Sequence, residues 1–81
     1  MNLILYHMDE CPYCAKVRDA ISKLKIKKLI EYREIGNEKY RDELIDLTDD
    51  YQVPCLVIDG KPMLESEDII IFLKKKFGGK K

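Results

Sequence analysis

The chain lacks a net charge, an apolar run long enough to cross a bilayer, and a second paired cysteine or histidine motif of the kind that zinc sites use. Fifteen basic side chains balance fifteen acidic ones, so the positive field expected of a nucleic-acid binder is missing. Lys74, Lys75 and Lys76 and the two terminal lysines are local features of a neutral chain. No stretch approaches the roughly 18 to 20 apolar residues of a spanning helix. The apolar start at residues 3–5 runs at once into His7, Asp9 and Glu10, which is not the form of an export signal. No membrane partner is expected, and the location expected is the cytoplasm. Three cysteines and one histidine offer no second ligand pair for tetrahedral zinc, so no metal is expected. An odd cysteine count also rules out a fully paired framework within the chain.

What is present suits one small globular unit. Over 81 residues, 46% are hydrophobic and 37% charged, enough for a core and a solvated surface. A single domain over residues 1–81 is expected, with 78–81 as a frayed tail. Residues 2–6 read as a short buried strand. The period then changes to a helical stripe, with Cys14, Val17, Ala20, Ile21 and Leu24 on one face and Pro12 in the first turn. Residues 29–35 read as a second strand, closed by Gly36. Asn37 should cap a helix carrying Tyr40, Leu44, Ile45 and Leu47, which ends near Asp49 or Asp50. The apolar run at 55–58 meets Asp59-Gly60, a strong hairpin signal, so a partner strand is expected at 61–64. Ser66 is expected to cap a last helix with Ile69, Ile70, Leu73 and Phe77 inside and Gly78 past its end. The order is β-α-β-α-β-β-α: an α/β fold with a four-stranded mixed sheet and three helices, the first crossover parallel and right-handed.

Cys11-Pro12-Tyr13-Cys14 falls where the first strand hands over to the first helix. There the Cys11 sulfur meets free backbone N–H groups and the positive end of the helix dipole, which favours the thiolate, the nucleophilic form. Cys14, one turn in, should be less exposed and less acidic, as suits a resolving thiol. In a chain without export signals this spacing favours redox catalysis over a structural staple. Cys55 reads as a small buried apolar residue. His7 could tune Cys11, although a lone histidine is more often simply polar. Pro54, at the head of a buried strand, cannot donate a ladder hydrogen bond and so marks an edge, a bulge or a special peptide geometry.

Tyr6, Cys11-Pro12-Tyr13-Cys14, Val53-Pro54, Asp59-Gly60 and Glu65-Ser66-Glu67-Asp68 stand in an order and spacing that resembles dithiol glutaredoxins. The chain is also similar to the thioredoxin-like N-terminal domain of glutathione transferases. Both likenesses run essentially from end to end and imply a thioredoxin-like fold. The glutaredoxin likeness implies a thiol-disulfide oxidoreductase with Cys11 and Cys14 as catalytic residues. Its co-substrate would be glutathione, with no tightly bound cofactor. The partners implied are disulfide-containing or glutathionylated proteins, with a flavoprotein reductase as the alternative electron source, and a monomer is expected. The resemblance further implies a cis Val53-Pro54 bond and a glutathione site made by Tyr13, Gln52, Val53, Pro54, Glu65, Ser66 and Glu67. Two basic residues that commonly help hold the glycine carboxylate are replaced by Met8 and Asp50; Gln52 and Tyr13 could still donate to it, and Lys39 or Arg41 could reach it. The transferase likeness implies a stand-alone glutathione-binding module, and a cluster carrier is disfavoured by Pro12.

Overall fold

The computed structural model describes residues 1–78. Its elements are β1 (Leu3–His7), α1 (Pro12–Leu24), β2 (Ile30–Glu34), α2 (Glu38–Thr48), β3 (Cys55–Ile58), β4 (Lys61–Met63) and α3 (Ser66–Phe77). The four strands lie in the order β2-β1-β3-β4. β1 runs parallel to β2 and antiparallel to β3, and β3 is antiparallel to β4. This is the mixed sheet expected from the sequence, including its parallel crossover through α1.

The alternation of side chains along a strand divides the core between the two faces of the sheet. Leu3 and Leu5 of β1 and Leu56 of β3 pack with Val17 and Ile21 of α1 and Ile69 and Leu73 of α3. On the other face, Tyr6, Cys55 and Val57 pack with Leu44 of α2. Two helices therefore cover one face and one helix the other. Each fully buried aliphatic side chain contributes roughly 1.5–3 kcal/mol relative to exposure. α2 has only Leu44 fully enclosed, and polar contacts supplement it: Glu43 accepts from Tyr6 Oη at 3.0 Å and from Arg33 at 2.8 Å.

Asp59 and Gly60 both have positive φ, 49° and 86°, the geometry a two-residue hairpin with native twist requires. Pro62 is accommodated because β4 is an edge strand.

The structure corrects two local expectations on this path. Residue 29 does not begin the second strand: a 3-10 turn occupies Lys27–Leu29, and Leu29 is 53% exposed. Lys25 closes α1 in the left-handed region and the Leu29 N–H turns back to the Ile26 carbonyl at 2.9 Å. The chain thus reaches the sheet one residue later. Leu47 is 40% exposed rather than core, since the stripe of so short a helix is narrow enough for Leu44 to fill. Gly78 follows α3, as expected, and its N–H bonds the Lys74 carbonyl at 2.8 Å; the rest of the expected frayed tail, 79–81, lies outside the described residues.

Candidate thiol site and adjoining cleft

Cys11 is the residue that caps α1. Its backbone is extended (φ −82°, ψ 120°), and its sulfur accepts the Cys14 N–H at 3.4 Å. Pro12 occupies the first helical position, where an N–H would have had no partner. Cys11 remains partly exposed while Cys14 is fully buried. Partial desolvation pushes the Cys11 thiol up. The Cys14 N–H, the Cys14 thiol, the Tyr13 N–H and the Arg18 charge together outweigh it and hold Cys11 below its ordinary value. Cys14 moves the other way, pushed up to about 12 by burial first and then by the Cys11 sulfur beside it. The two thiols of one motif are thereby driven apart in acidity, Cys11 towards the thiolate and Cys14 away from it.

Cys55 is fully buried and pushed up to about 11 by desolvation, in agreement with a core role. One thiol should therefore be far more reactive than the others. Alkylation of the reduced protein across pH should show one fast thiol titrating below the usual value of about 8.5. That signal should be lost in Cys11→Ser and kept in Cys55→Ser. A fast thiol that disappears with Cys55 would reverse the assignment.

Beside the head of α1 lies a cleft of about 600 Å³. Tyr13, Gln52, Val53, Pro54, Glu65, Ser66 and Glu67 all lie on its wall, so these seven residues, which the resemblance implies for a glutathione site, are brought to one place. Cys11 and Cys14 are not on that wall; Cys11 stands two positions before Tyr13 in the chain. The Val53-Pro54 peptide is cis.

Ser66 departs from its expected role as a cap. It is the first residue of α3 and nearly buried, while Glu65 occupies the cap position with φ 75° and no capping side-chain bond. With the chain turned through this positive φ, the serine hydroxyl is not needed by its own helix, and the residue is carried onto the cleft wall. A non-glycine residue held in so sparsely populated a conformation costs on the order of 1–3 kcal/mol, and such costs cluster at functional sites.

Two cleft residues were missed from the sequence, Lys16 and Asp68. Lys16 follows Tyr13 by one helical turn and its Nζ lies 5.5 Å from the Tyr13 ring centre; the i, i+3 spacing was the available signal. Lys16 is the cleft's sole basic residue among the described residues, facing Glu65, Glu67 and Asp68. Met8, Lys39, Arg41 and Asp50 do not line the cleft: Met8 packs on the α2 side of the sheet and Arg41 pairs with Glu38 at 3.6 Å. His7 is buried, with its ring against Arg18 and edge-on to Tyr32.

A mixed four-stranded sheet, a cysteine pair at the head of the first helix and a cis-proline cleft define a thioredoxin-like domain. Residues 5–81 match the family of the glutathione S-transferase N-terminal domain, and the chain belongs to that family. Among solved structures it is similar to glutathione S-transferase isozyme E7 of Drosophila melanogaster, with 28% identity and a TM-score of 0.78 over 95% of this chain and 35% of that one. It is also similar to glutathione transferase Omega 3C of Trametes versicolor, with 26% identity and a TM-score of 0.82 over 96% of this chain and 34% of that one. The chain thus spans about a third of the length of these relatives. No curated protein matches it. Of the two families that the sequence resembles, the match falls on the transferase side. Among the described residues, no helix is long and apolar enough to cross a membrane.

Proposed function

We propose that this transferase-type domain binds glutathione and acts as a glutaredoxin-like thiol-disulfide oxidoreductase. The observation that carries the reading is the split of the Cys11-Cys14 pair, one thiol depressed at a helix head and the other buried and raised, on the helix that also supplies Tyr13 and Lys16 to the cleft. The Cys11 thiolate attacks the glutathionyl sulfur of a mixed disulfide, and the displaced protein thiolate takes a proton. A second glutathione thiolate then attacks the glutathionyl sulfur on Cys11, releasing glutathione disulfide and restoring the Cys11 thiolate. With a protein disulfide, Cys11 becomes covalently joined to the substrate and Cys14 resolves the bond. Once Cys11 is bonded it no longer carries the charge that helps to raise Cys14, so the reserve thiol becomes easier to ionise when it is needed.

In the ligand site, the first turn of α3 with Ser66 takes the γ-glutamyl carboxylate, and Glu65 accepts from its ammonium group. Val53 offers unpaired backbone groups to the cysteinyl part, since neither its N–H nor its carbonyl joins a strand or turn bond among the described residues. Glutathione and glutathionylated or disulfide-bearing proteins are the partners, and two glutathiones or a flavoprotein reductase return the Cys11-Cys14 disulfide to the dithiol. The domain works as a monomer in the reducing cytoplasm, without a resident cofactor.

A second reading is favoured by the family match: the chain holds glutathione as a transferase domain does, with the ligand's own thiolate as the reacting group. The two readings part at Cys11, which only the first requires. The cleft also makes a prediction about its ligand. Of its four charged residues, Glu65, Glu67 and Asp68 are acidic and Lys16 alone is basic, so the glycine end of the tripeptide, without the two basic residues replaced by Met8 and Asp50, is left to Gln52, Tyr13 and one lysine. γ-Glutamylcysteine should therefore serve as the mixed-disulfide partner within about tenfold of glutathione, a difference of about 1.4 kcal/mol or less. Steady-state reduction of the two mixed disulfides measures this, and a loss much beyond tenfold would show that the glycine carboxylate is firmly held.

A further inference from the structure

Arg18 lies on α1 beyond Cys14, and its charge is a smaller influence on the Cys11 thiol than the hydrogen bonds from Cys14 and Tyr13. An arginine on a helix surface ordinarily reaches for water or a carboxylate. Among the described residues Arg18 has no carboxylate within salt-bridge distance. Its guanidinium instead meets three consecutive residues, the last of β1 and the first two of the connection to α1. Nη1 lies 3.0 Å from His7 Nδ1 and donates to the Met8 carbonyl at 3.2 Å; Nη2 donates to the Asp9 carbonyl at 3.1 Å. The Met8 carbonyl also accepts the Cys11 N–H at 3.1 Å. One oxygen thus ties the guanidinium directly to the backbone of Cys11. From β2, Glu34 holds the same connection by accepting the Asp9 N–H at 3.0 Å.

The fit depends on arginine in particular. A planar fork with donors in fixed directions can engage a ring nitrogen and two carbonyls at once, whereas an ammonium is a single point. His7 can accept from Arg18 only through an unprotonated Nδ1, so its proton belongs on Nε2. Burial first and the Arg18 charge next hold His7 below its ordinary value, opposed by Asp9 and Glu34. The neutral ring is thus the form that the clamp requires.

We propose that Arg18 is a positioning residue for Cys11: by gripping His7, Met8 and Asp9 together it fixes the turn that delivers Cys11 to the head of α1. This rests on the reading of Cys11 as the attacking thiolate. The charged and titratable groups facing the assembly are Cys14 and Arg18 around Cys11, and Arg18, Asp9, Glu34 and Tyr32 around His7.

The test compares the reduced full chain with its Arg18→Gln and Arg18→Lys variants in three measurements. These are the pH profile of Cys11 alkylation by iodoacetamide, the His7 ring signals in nitrogen-15 NMR, and turnover on a glutathione mixed disulfide. Thermal unfolding checks that each variant folds. Arg18→Gln should alkylate about fivefold more slowly at pH 7, as loss of a nearby opposite charge requires, and should lose the fixed Nε2–H tautomer of His7. Arg18→Lys should recover part of the alkylation rate but neither the tautomer nor the turnover. A folded Arg18→Gln variant with unchanged alkylation and His7 signals would overturn the proposal. If that variant does not fold, an Arg18→Lys variant that matches the native chain in all three readouts would do the same, because one ammonium cannot replace the three-way grip. Should the native chain reduce no disulfide at all, the proposed function fails, yet the alkylation and NMR arms still decide the role of Arg18.

Discussion

Cys11→Ser is expected to lower disulfide reduction to below about a thousandth of the native rate, since a serine hydroxyl in the same place is not ionised at neutral pH and cannot replace the thiolate. The loss should be the same on glutathione mixed disulfides and on protein disulfides. Cys14→Ser should behave differently on the two. A mixed disulfide with glutathione can be resolved by a second glutathione from solution, so its reduction should continue. A protein disulfide needs a resolving thiol within the same chain, so its reduction should fail. This pattern follows from the contrast in the structure: Cys11 is partly exposed and depressed, Cys14 is enclosed and raised to about 12. Steady-state assays of both substrates with both variants check it, and equal losses throughout would contradict the assigned roles.

The second large effect is expected at the start of α3. Glu65→Ala combined with Ser66→Ala should weaken glutathione binding by about a hundredfold or more. Charge-assisted contacts are worth roughly 1.5–3 kcal/mol each, and two of them lost together amount to about 3 kcal/mol at least, or two decades of affinity. The change is not one of helix capping, because neither side chain caps α3. Glu65→Gln separates charge from shape: it keeps the volume and the positive-φ backbone and removes only the acceptor for the ammonium group. Calorimetric titration with glutathione, together with thermal unfolding, measures both. A loss under about tenfold in the folded double variant would place the γ-glutamyl group elsewhere.

Much of this arrangement could be read from the sequence because local chemistry dictated it. The strand-to-helix handover at Cys11, the Asn37 cap, whose side chain accepts the Lys39 N–H at 2.9 Å, and the Asp59-Gly60 hairpin each depend on residues within one turn of one another. The cis geometry of Val53-Pro54 came from the family resemblance, since composition gives such a bond only about a 5% chance. What escaped depended on contacts between distant segments. Ser66 looked like a cap because its neighbours do not disclose that Glu65 takes a positive φ. Lys16 is one of many lysines in the sequence, and only the meeting of α1 and α3 around the cleft sets it apart. His7 and Arg18 are far enough apart along the chain that only the packing of α1 against the end of β1 makes them partners. The choice between two related families was likewise open in the residues: the cysteine motif spoke for one and the stretch around Glu65-Ser66 for the other.

The reading as a whole stands on Cys11 being the thiol that forms the covalent intermediate with glutathione. The direct measurement is to incubate reduced Cys14→Ser protein, in which no resolving thiol remains in the motif, with glutathione disulfide and to map the product by intact mass and peptide mass spectrometry. The expected result is one glutathionyl group per chain, carried by Cys11, with Cys55 unmodified. A folded protein that takes up no glutathionyl group, or carries it on Cys55, would contradict the assignment.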